Sequence, residues 1–322
     1  KQFKPTRYDP VAWARQVKAG GFRYAVLTTK HHDGFCLWPT KTSEYNIAFT
    51  PYKQDVVAMY LQAFREAGLH PGFYFSWPDW WYETKITRQK SHEEWVRVRN
   101  DYHRSHLAEL AANYGPIDLF WFDGGGEFST VTKLQPKTVV NNRGDGGDYF
   151  TPENFMADYP FLNPNGSDSP WEVCNGTGGP WGYASEKPER SASDIIRDLA
   201  EVCGKGGNWL LNVAPRSTGE LPAAHMEMLR QVGDWLKING ASIYGTHRTK
   251  LGRQSFGWTT AKDNELFLHV LDWPGEKLVL EDIHDQVAAV HHAHLAPGEQ
   301  VPVEVEVVIA QAQGVALGLP AQ

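Results

Sequence analysis

The chain has 322 residues, enough for one large domain with a smaller one beside it and far more than a disulfide- or metal-stapled miniature scaffold needs. Its hydrophobic fraction of 41% and charged fraction of 21% are those of an ordinary globular protein, and Gly 30 and Pro 20 are too dispersed for a collagenous or low-complexity chain. Lys+Arg 31 against Asp+Glu 38 gives a net charge of -7, which argues against a nucleic-acid partner, and Cys36, Cys174 and Cys203 form neither a CxxC pair nor a disulfide framework.

The opening residues, KQFKPTRYDP, show neither a Met nor the charged-then-apolar profile of a signal peptide, so the expectation is that processing or truncation removed an upstream segment. From Asp9 a rhythm sets in. Asp9 reads as an N-cap with Pro10 at the first helical position, and Gly20-Gly21 stop that helix before an apolar strand at 24–28. Asp55 caps a second helix ending at Gly68, and 72–76 follows as a strand. A helix over 93–114 leads to a strand at 117–122, and short apolar runs follow at 138–140 and 171–173. Ser191 and Asp194 form a capping box before a helix that leads to a strand at 208–213. Pro222 opens a last helix closed by Asn239-Gly240, with a final strand expected at 241–244.

Strands that are apolar on both faces and separated by helices imply a parallel sheet covered by helices, and the span suits a TIM-like (β/α) barrel, typically ~250 residues. The count gives seven candidate strands where a closed barrel needs eight, and the chain opens on a helix with no strand before it. The expectation is therefore a barrel over residues 1–248 whose first strand lies upstream of Lys1, with an eighth strand hidden among the loops as the alternative. After Tyr244 the runs at 266–271, 277–280, 286–290 and 303–308 have no helix between them, which predicts a C-terminal antiparallel β-sandwich over 249–322. No apolar run reaches the length of a membrane-spanning helix.

In such a barrel the chemistry sits at the C-terminal strand ends. After 24–28 comes Lys30-His31-His32-Asp33-Gly34, whose histidines and aspartate invite a metal reading, although adjacent residues on an extended segment point in opposite directions. Hydrogen bonding to loops or to a polar ligand is the other use for such a pair. After 117–122 comes Asp123-Gly124-Gly125-Gly126-Glu127. A carboxylate closing a wholly apolar strand fits a nucleophile or base facing a cavity, and the glycines let a ligand approach; an N-cap or turn aspartate is the structural alternative. Arg143 could pair with that carboxylate and keep it ionised. Glu153, Glu172 and the Gly-rich loop bearing Trp181 and Tyr183 complete a mouth with the two carboxylates that glycoside hydrolysis needs.

The segments YAVLTTKHHDGFCLW at 24–38, FWFDGGGE at 120–127, NNR through GDYFTPE ending at Glu153, WE through WGY at 171–183 and GGNWLLNVAP at 206–215 resemble glycoside hydrolase family 29, the α-L-fucosidases. The resemblance runs from about Tyr8 to the β domain. It implies a catalytic barrel with a C-terminal β-sandwich and retaining hydrolysis of terminal α-L-fucosides without metal or organic cofactor. It implies Asp123 as the nucleophile and His31 and His32 as partners of the fucose hydroxyls. Tyr74, Trp121 and Arg143 would line the sugar, and Trp181 would meet its methyl group. The family does not keep its acid/base at one motif: Glu153 matches one group of members and is favoured, and Glu172 matches another. The family's Phe/Ile-rich first strand ending in His-Trp-Gly has no counterpart here, in agreement with the strand count, and Pro215-Arg216-Ser217-Thr218-Gly219 lacks the Asp usual before that glycine.

The expected partner is thus a fucosylated oligosaccharide or glycoconjugate, with no nucleic acid and no membrane, oligomeric state open, and a periplasmic or secreted location suggested by the resemblance alone. Two other readings compete: a catalytically silent fucose-binding protein of the same fold, and a metal-dependent hydrolase using His31, His32 and Asp33.

Overall fold

The computed structural model describes residues 3–86, 91–154, 156–157, 161–273, 275, 277–280 and 306–309. Helix α1 (Pro10–Ala19) begins where the sequence dictates: the Asp9 carboxylate accepts from the Ala12 amide at 2.9 Å, and Pro10 occupies a position that needs no amide hydrogen. Strand β1 (Tyr24–Lys30), helix α2 (Val56–Glu66, capped by Asp55), strand β2 (His70–Ser76), helices α3 (Trp80–Ile86) and α4 (His92–Asn113) and strand β3 (Leu119–Asp123) follow. Next come α5 (Phe128–Leu134), β4 (Val139–Val140), β5 (Glu172–Gly176), α6 (Ala192–Gly204), β6 (Asn208–Asn212) and α7 (Ala223–Asn239). The capping box at α6 is present in both directions between Ser191 and Asp194.

Strands β1, β2, β3 and β4 form a parallel sheet in that order, and β5 and β6 form a parallel pair. The extended stretch 149–153 joins them through parallel bridges, Asn141 to Tyr149 on one side and Phe150 to Trp171 and Glu153 to Cys174 on the other. The amides of Glu172 and Cys174 donate to the carbonyls of Phe150 and Pro152. This is the strand that hydrophobic patterning hides, because its partners are distant in sequence and Pro152 and Glu153 break its apolar run. The strand expected at 241–244 is not formed: residues 240–242 are a 3-10 turn, with the Ile243 and Tyr244 amides donating back to the Gly240 carbonyl. Gly240 keeps helical backbone angles, so the chain winds on instead of extending, and Ile243 and Tyr244 pack beside Leu236. Among the described residues β1 pairs only with β2 and β6 only with β5. Consistent with those open edges, residues 24–27 and 209–212 are half-buried, whereas the centres of β2, β3 and β5 are sealed.

Period-2 alternation decides which residues face the interior. In β3, Phe120 and Phe122 join Phe73, Phe75, Leu107 and Leu110 in the core beneath the helices, while Leu119 and Trp121 turn inward with Tyr74, Tyr149 and Cys174. Asp123 is next in the inward series.

Beyond the helical layer, β7 (His247–Arg248), β8 (Gly257–Lys262) and β9 (Glu265–Val270) form an antiparallel sheet. Strands β10 (Lys277–Leu280) and β11 (Glu306–Ile309) pair in parallel, which corrects the antiparallel pairing expected for those runs: some 25 residues separate them, room for the crossover that parallel strands require. The strand expected at 286–290 and the first part of that at 303–308 lie outside the described residues.

Candidate active site

Two donors and one imidazole nitrogen converge on the Asp123 carboxylate at the end of β3. The Tyr74 hydroxyl donates to Oδ2 at 2.7 Å, His32 Nε2 lies 3.5 Å from the same oxygen, and Arg143 Nη1 donates to Oδ1 at 3.1 Å. Such partners offset the desolvation of a half-buried charge and hold it in one orientation. Burial and the bond to Asp123 push the Tyr74 phenol well above its usual range, so it remains a neutral donor.

Arg143 is the hub. Its Nη1 also donates to Glu153 Oε2 at 2.6 Å, its Nε and Nη2 bond the side chain and carbonyl of Thr151 at 3.1 Å each, and its guanidinium lies 4.5 Å from the Trp121 ring centre. One nitrogen therefore holds an oxygen from each of two carboxylates, which places those oxygens within about 6 Å of each other, alongside the ~5–5.5 Å separation of a retaining glycosidase pair. Glu153 is the more open of the two, with 38% of its side chain exposed against 22% for Asp123.

His31 stacks flat on Tyr74, ring centres 5.5 Å apart, and its ring is 4.2 Å from that of His32. Partial burial and the adjacent His32 hold the His31 imidazole below its usual range. Both histidines lie past the end of β1, where the chain turns and the strand alternation that would have separated them no longer applies. Of the expected metal set, Asp33 takes no part: it is Asp123 whose carboxylate lies with the two imidazoles, all within 4.8 Å. Arg143 already supplies that carboxylate with a cation.

Glu172 sits behind this layer. It is 2% exposed, with Oε1 accepting from the Trp121 indole at 2.9 Å and Oε2 from the Tyr24 hydroxyl. Burial pushes its carboxyl up to about 7 against the opposing effect of these two donors. Trp181 stands apart, 42% exposed on the loop after β5, its carbonyl accepting from Asn212 at the end of β6.

The family model described as Alpha-L-fucosidase matches residues 1–241. The chain belongs to the alpha-L-fucosidase family. Among solved structures it is similar to alpha-L-fucosidase isoenzyme 1 from Paenibacillus thiaminolyticus, at 34% identity and a TM-score of 0.77, covering 84% of this chain and 73% of that one. It is also similar to the GH29 alpha-L-fucosidase from Bacteroides thetaiotaomicron, at 26% identity and a TM-score of 0.75, covering 83% and 68%. Among curated relatives, the alpha-L-fucosidase of Branchiostoma floridae is 29% identical over 83% of this chain, and the tissue alpha-L-fucosidase of Homo sapiens is 29% identical over 85%. The chain spans about 65% of the first of these relatives and 63% of the second.

In this family setting, residues that sequence reasoning passed over become visible. Lys30 and Asp79 form an ion pair at 3.3 Å with both side chains fully buried, beneath the histidine loop. Gly34 adopts a φ of +86°, and a Cβ there would stand 2.2 Å from the Asp79 carboxylate, so the Asp-Gly after the histidines is a backbone requirement. Lys30 inside KHHDG was the available signal. Ser76, Thr151 and Tyr24 gave none, because each acts through a partner distant in sequence.

Proposed function

We propose that the protein is a retaining, exo-acting α-L-fucosidase that removes terminal α-L-fucosyl residues from oligosaccharides or glycoconjugates. The observation that carries this reading is the shared arginine: Arg143 Nη1 bonds both Asp123 and Glu153 and so keeps one oxygen of each within about 6 Å, short of the ~6.5–9.5 Å of an inverting pair. Asp123 attacks the anomeric carbon as Glu153 donates a proton to the departing glycosidic oxygen, leaving a fucosyl ester on Asp123. Glu153 then takes a proton from water, which attacks the same carbon and releases fucose and the free carboxylate. Arg143 and Tyr74 hold Asp123 in line. His31, His32 and Trp121 form the polar and aromatic walls, and Trp181 is assigned to the sugar's methyl group by the family resemblance alone. A similar solved structure, of a GH29 alpha-L-fucosidase from Bacteroides thetaiotaomicron at 26% identity, is a trapped covalent intermediate with 2-fluoro-fucosyl fluoride, which supports a two-step reading here.

Glu153 is preferred to Glu172 as the acid/base because both oxygens of Glu172 are engaged by Trp121 and Tyr24 behind the site. The test is kcat/KM for aryl α-L-fucosides with good and poor leaving groups in wild type, Glu153→Ala and Glu172→Ala. Glu153→Ala is expected to slow the poor leaving group by roughly 10²–10⁴-fold and the good one far less, since only the poor one needs protonation. Glu172→Ala is expected to affect both alike. A leaving-group-dependent loss in Glu172→Ala instead would transfer the role, and no hydrolysis of any fucoside by wild type would defeat the proposal.

A further inference from the structure

We infer that Ser76 is a positioning residue that fixes the tautomer of His32 and so makes His32 Nε2 an acceptor for one hydroxyl of the sugar. The inference rests on the fucosidase reading for the identity of the sugar, though not for the tautomer itself. Ser76 closes β2, is fully buried and stands opposite Asp123 in the parallel ladder. Its hydroxyl donates to the Pro78 carbonyl at 2.8 Å, and His32 Nδ1 lies within hydrogen-bond distance of the same oxygen. A serine hydroxyl has a single proton. With that proton on Pro78, Oγ can only accept from His32, so Nδ1 carries the ring hydrogen.

The opposite tautomer would either set two acceptors against each other at the buried Ser76 hydroxyl or turn the serine hydrogen away from Pro78 and break that bond. The backbone adds a second restraint, because the Trp80 amide donates to the His32 carbonyl at 2.7 Å. A neutral imidazole with hydrogen on Nδ1 presents a lone pair at Nε2. Nε2 lies 3.5 Å from Asp123 Oδ2, an oxygen already accepting from Tyr74, and two acceptors facing each other leave the place between them to a donating hydroxyl. A hydroxyl arriving here must donate to Nε2 and cannot accept from it. The site therefore selects a fucoside with a free hydroxyl at this position and disfavours its deoxy or O-alkyl analogue, because the acceptor would be left unmet beside the Asp123 carboxylate.

The experiment pairs spectroscopy with substrate dissection. Nitrogen NMR of the histidine-labelled protein is expected to show His32 protonated at Nδ1 and bare at Nε2 at neutral pH, and a mixture of tautomers in Ser76→Ala. On an aryl α-L-fucoside, Ser76→Ala is expected to lower kcat/KM by roughly 10–100-fold, the range typical of losing an outer partner that orients a histidine. Across the monodeoxy derivatives of that substrate, one deoxygenation should be far less damaging in Ser76→Ala than in wild type, with the others unchanged. A wild-type His32 protonated at Nε2 alone, or at both nitrogens where the enzyme is active, would overturn the inference, as would an identical deoxy profile in the two proteins. If wild type cleaves no fucoside, the functional reading fails, while the NMR result still judges the tautomer.

Discussion

Glu172 is a carboxyl group sealed inside the strand wall with two donors, and its ionisation links the site to stability. Burial raises it from 4.5 to about 7 in the fold. Between those values the folded protein holds a proton that the unfolded chain has released, so the stability contributed by the neutral form is complete below pH 4.5 and is lost as pH rises through 7. Over that window the loss amounts to about 3 kcal/mol. Glu172→Gln keeps the shape and has no proton to lose, since its amide oxygen can accept from Trp121 and its NH₂ can donate to Tyr24. The unfolding free energy of wild type relative to Glu172→Gln, measured by urea denaturation, is therefore expected to fall from pH 4.5 to pH 8. A pH-independent difference would show that Glu172 is not the titrating group. Sequence alone identified Glu172 as a residue of interest and left its role open, because its burial is created by Tyr24 and Trp121, which are 148 and 51 positions away.

At the level of elements, the helices with chemical punctuation were readable and those without it were not. Asp9, Asp55 and the Ser191–Asp194 box each cap as their residue types require. The short α3 and α5 escaped notice; Glu127, which precedes α5, makes no cap because Arg104 holds its carboxylate, and the first amide of the helix, that of Phe128, donates instead to Asp145, 17 positions away. Contacts between elements were equally hidden. Gly233, in the middle of α7, lies so close to the end of α1 that a Cβ would stand 1.9 Å from the Ala19 carbonyl oxygen. Since neither helix backbone can yield without parting the pair, Gly233→Ala is expected to destabilise by about 2–3 kcal/mol or more and lower Tm by roughly 5–10 °C. Gly182→Ala, with nothing within 4 Å of its Cβ, is the neutral control. Equal melting temperatures for the two variants would mean that α1 and α7 are not in this contact.

For the molecule as a whole, the parallel wall runs from β1 through the bridging stretch 149–153 to β6, and every proposed catalytic group stands at its C-terminal rim. The parallel sheet under helices was legible from apolar strands alternating with helices, and the charge that ends one of them is what marked Asp123 as the proposed nucleophile. The bridging stretch at 149–153 and the sharing of Arg143 between Asp123 and Glu153 were not legible, since each exists only once distant segments meet. Among the described residues β1 and β6 each pair on one side, and the wall contains 149–153 but not the strand expected at 241–244. The central claim is that Asp123, held by Arg143 and Tyr74, forms a covalent bond to fucose. Its most direct test is intact mass and peptide mapping after incubation with 2-deoxy-2-fluoro-α-L-fucosyl fluoride, a substrate whose ester intermediate breaks down slowly. The account predicts one added fluorofucosyl group on the peptide containing Asp123, absent from Asp123→Ala; an adduct on another residue, or fucoside hydrolysis with inversion and no adduct, would contradict it.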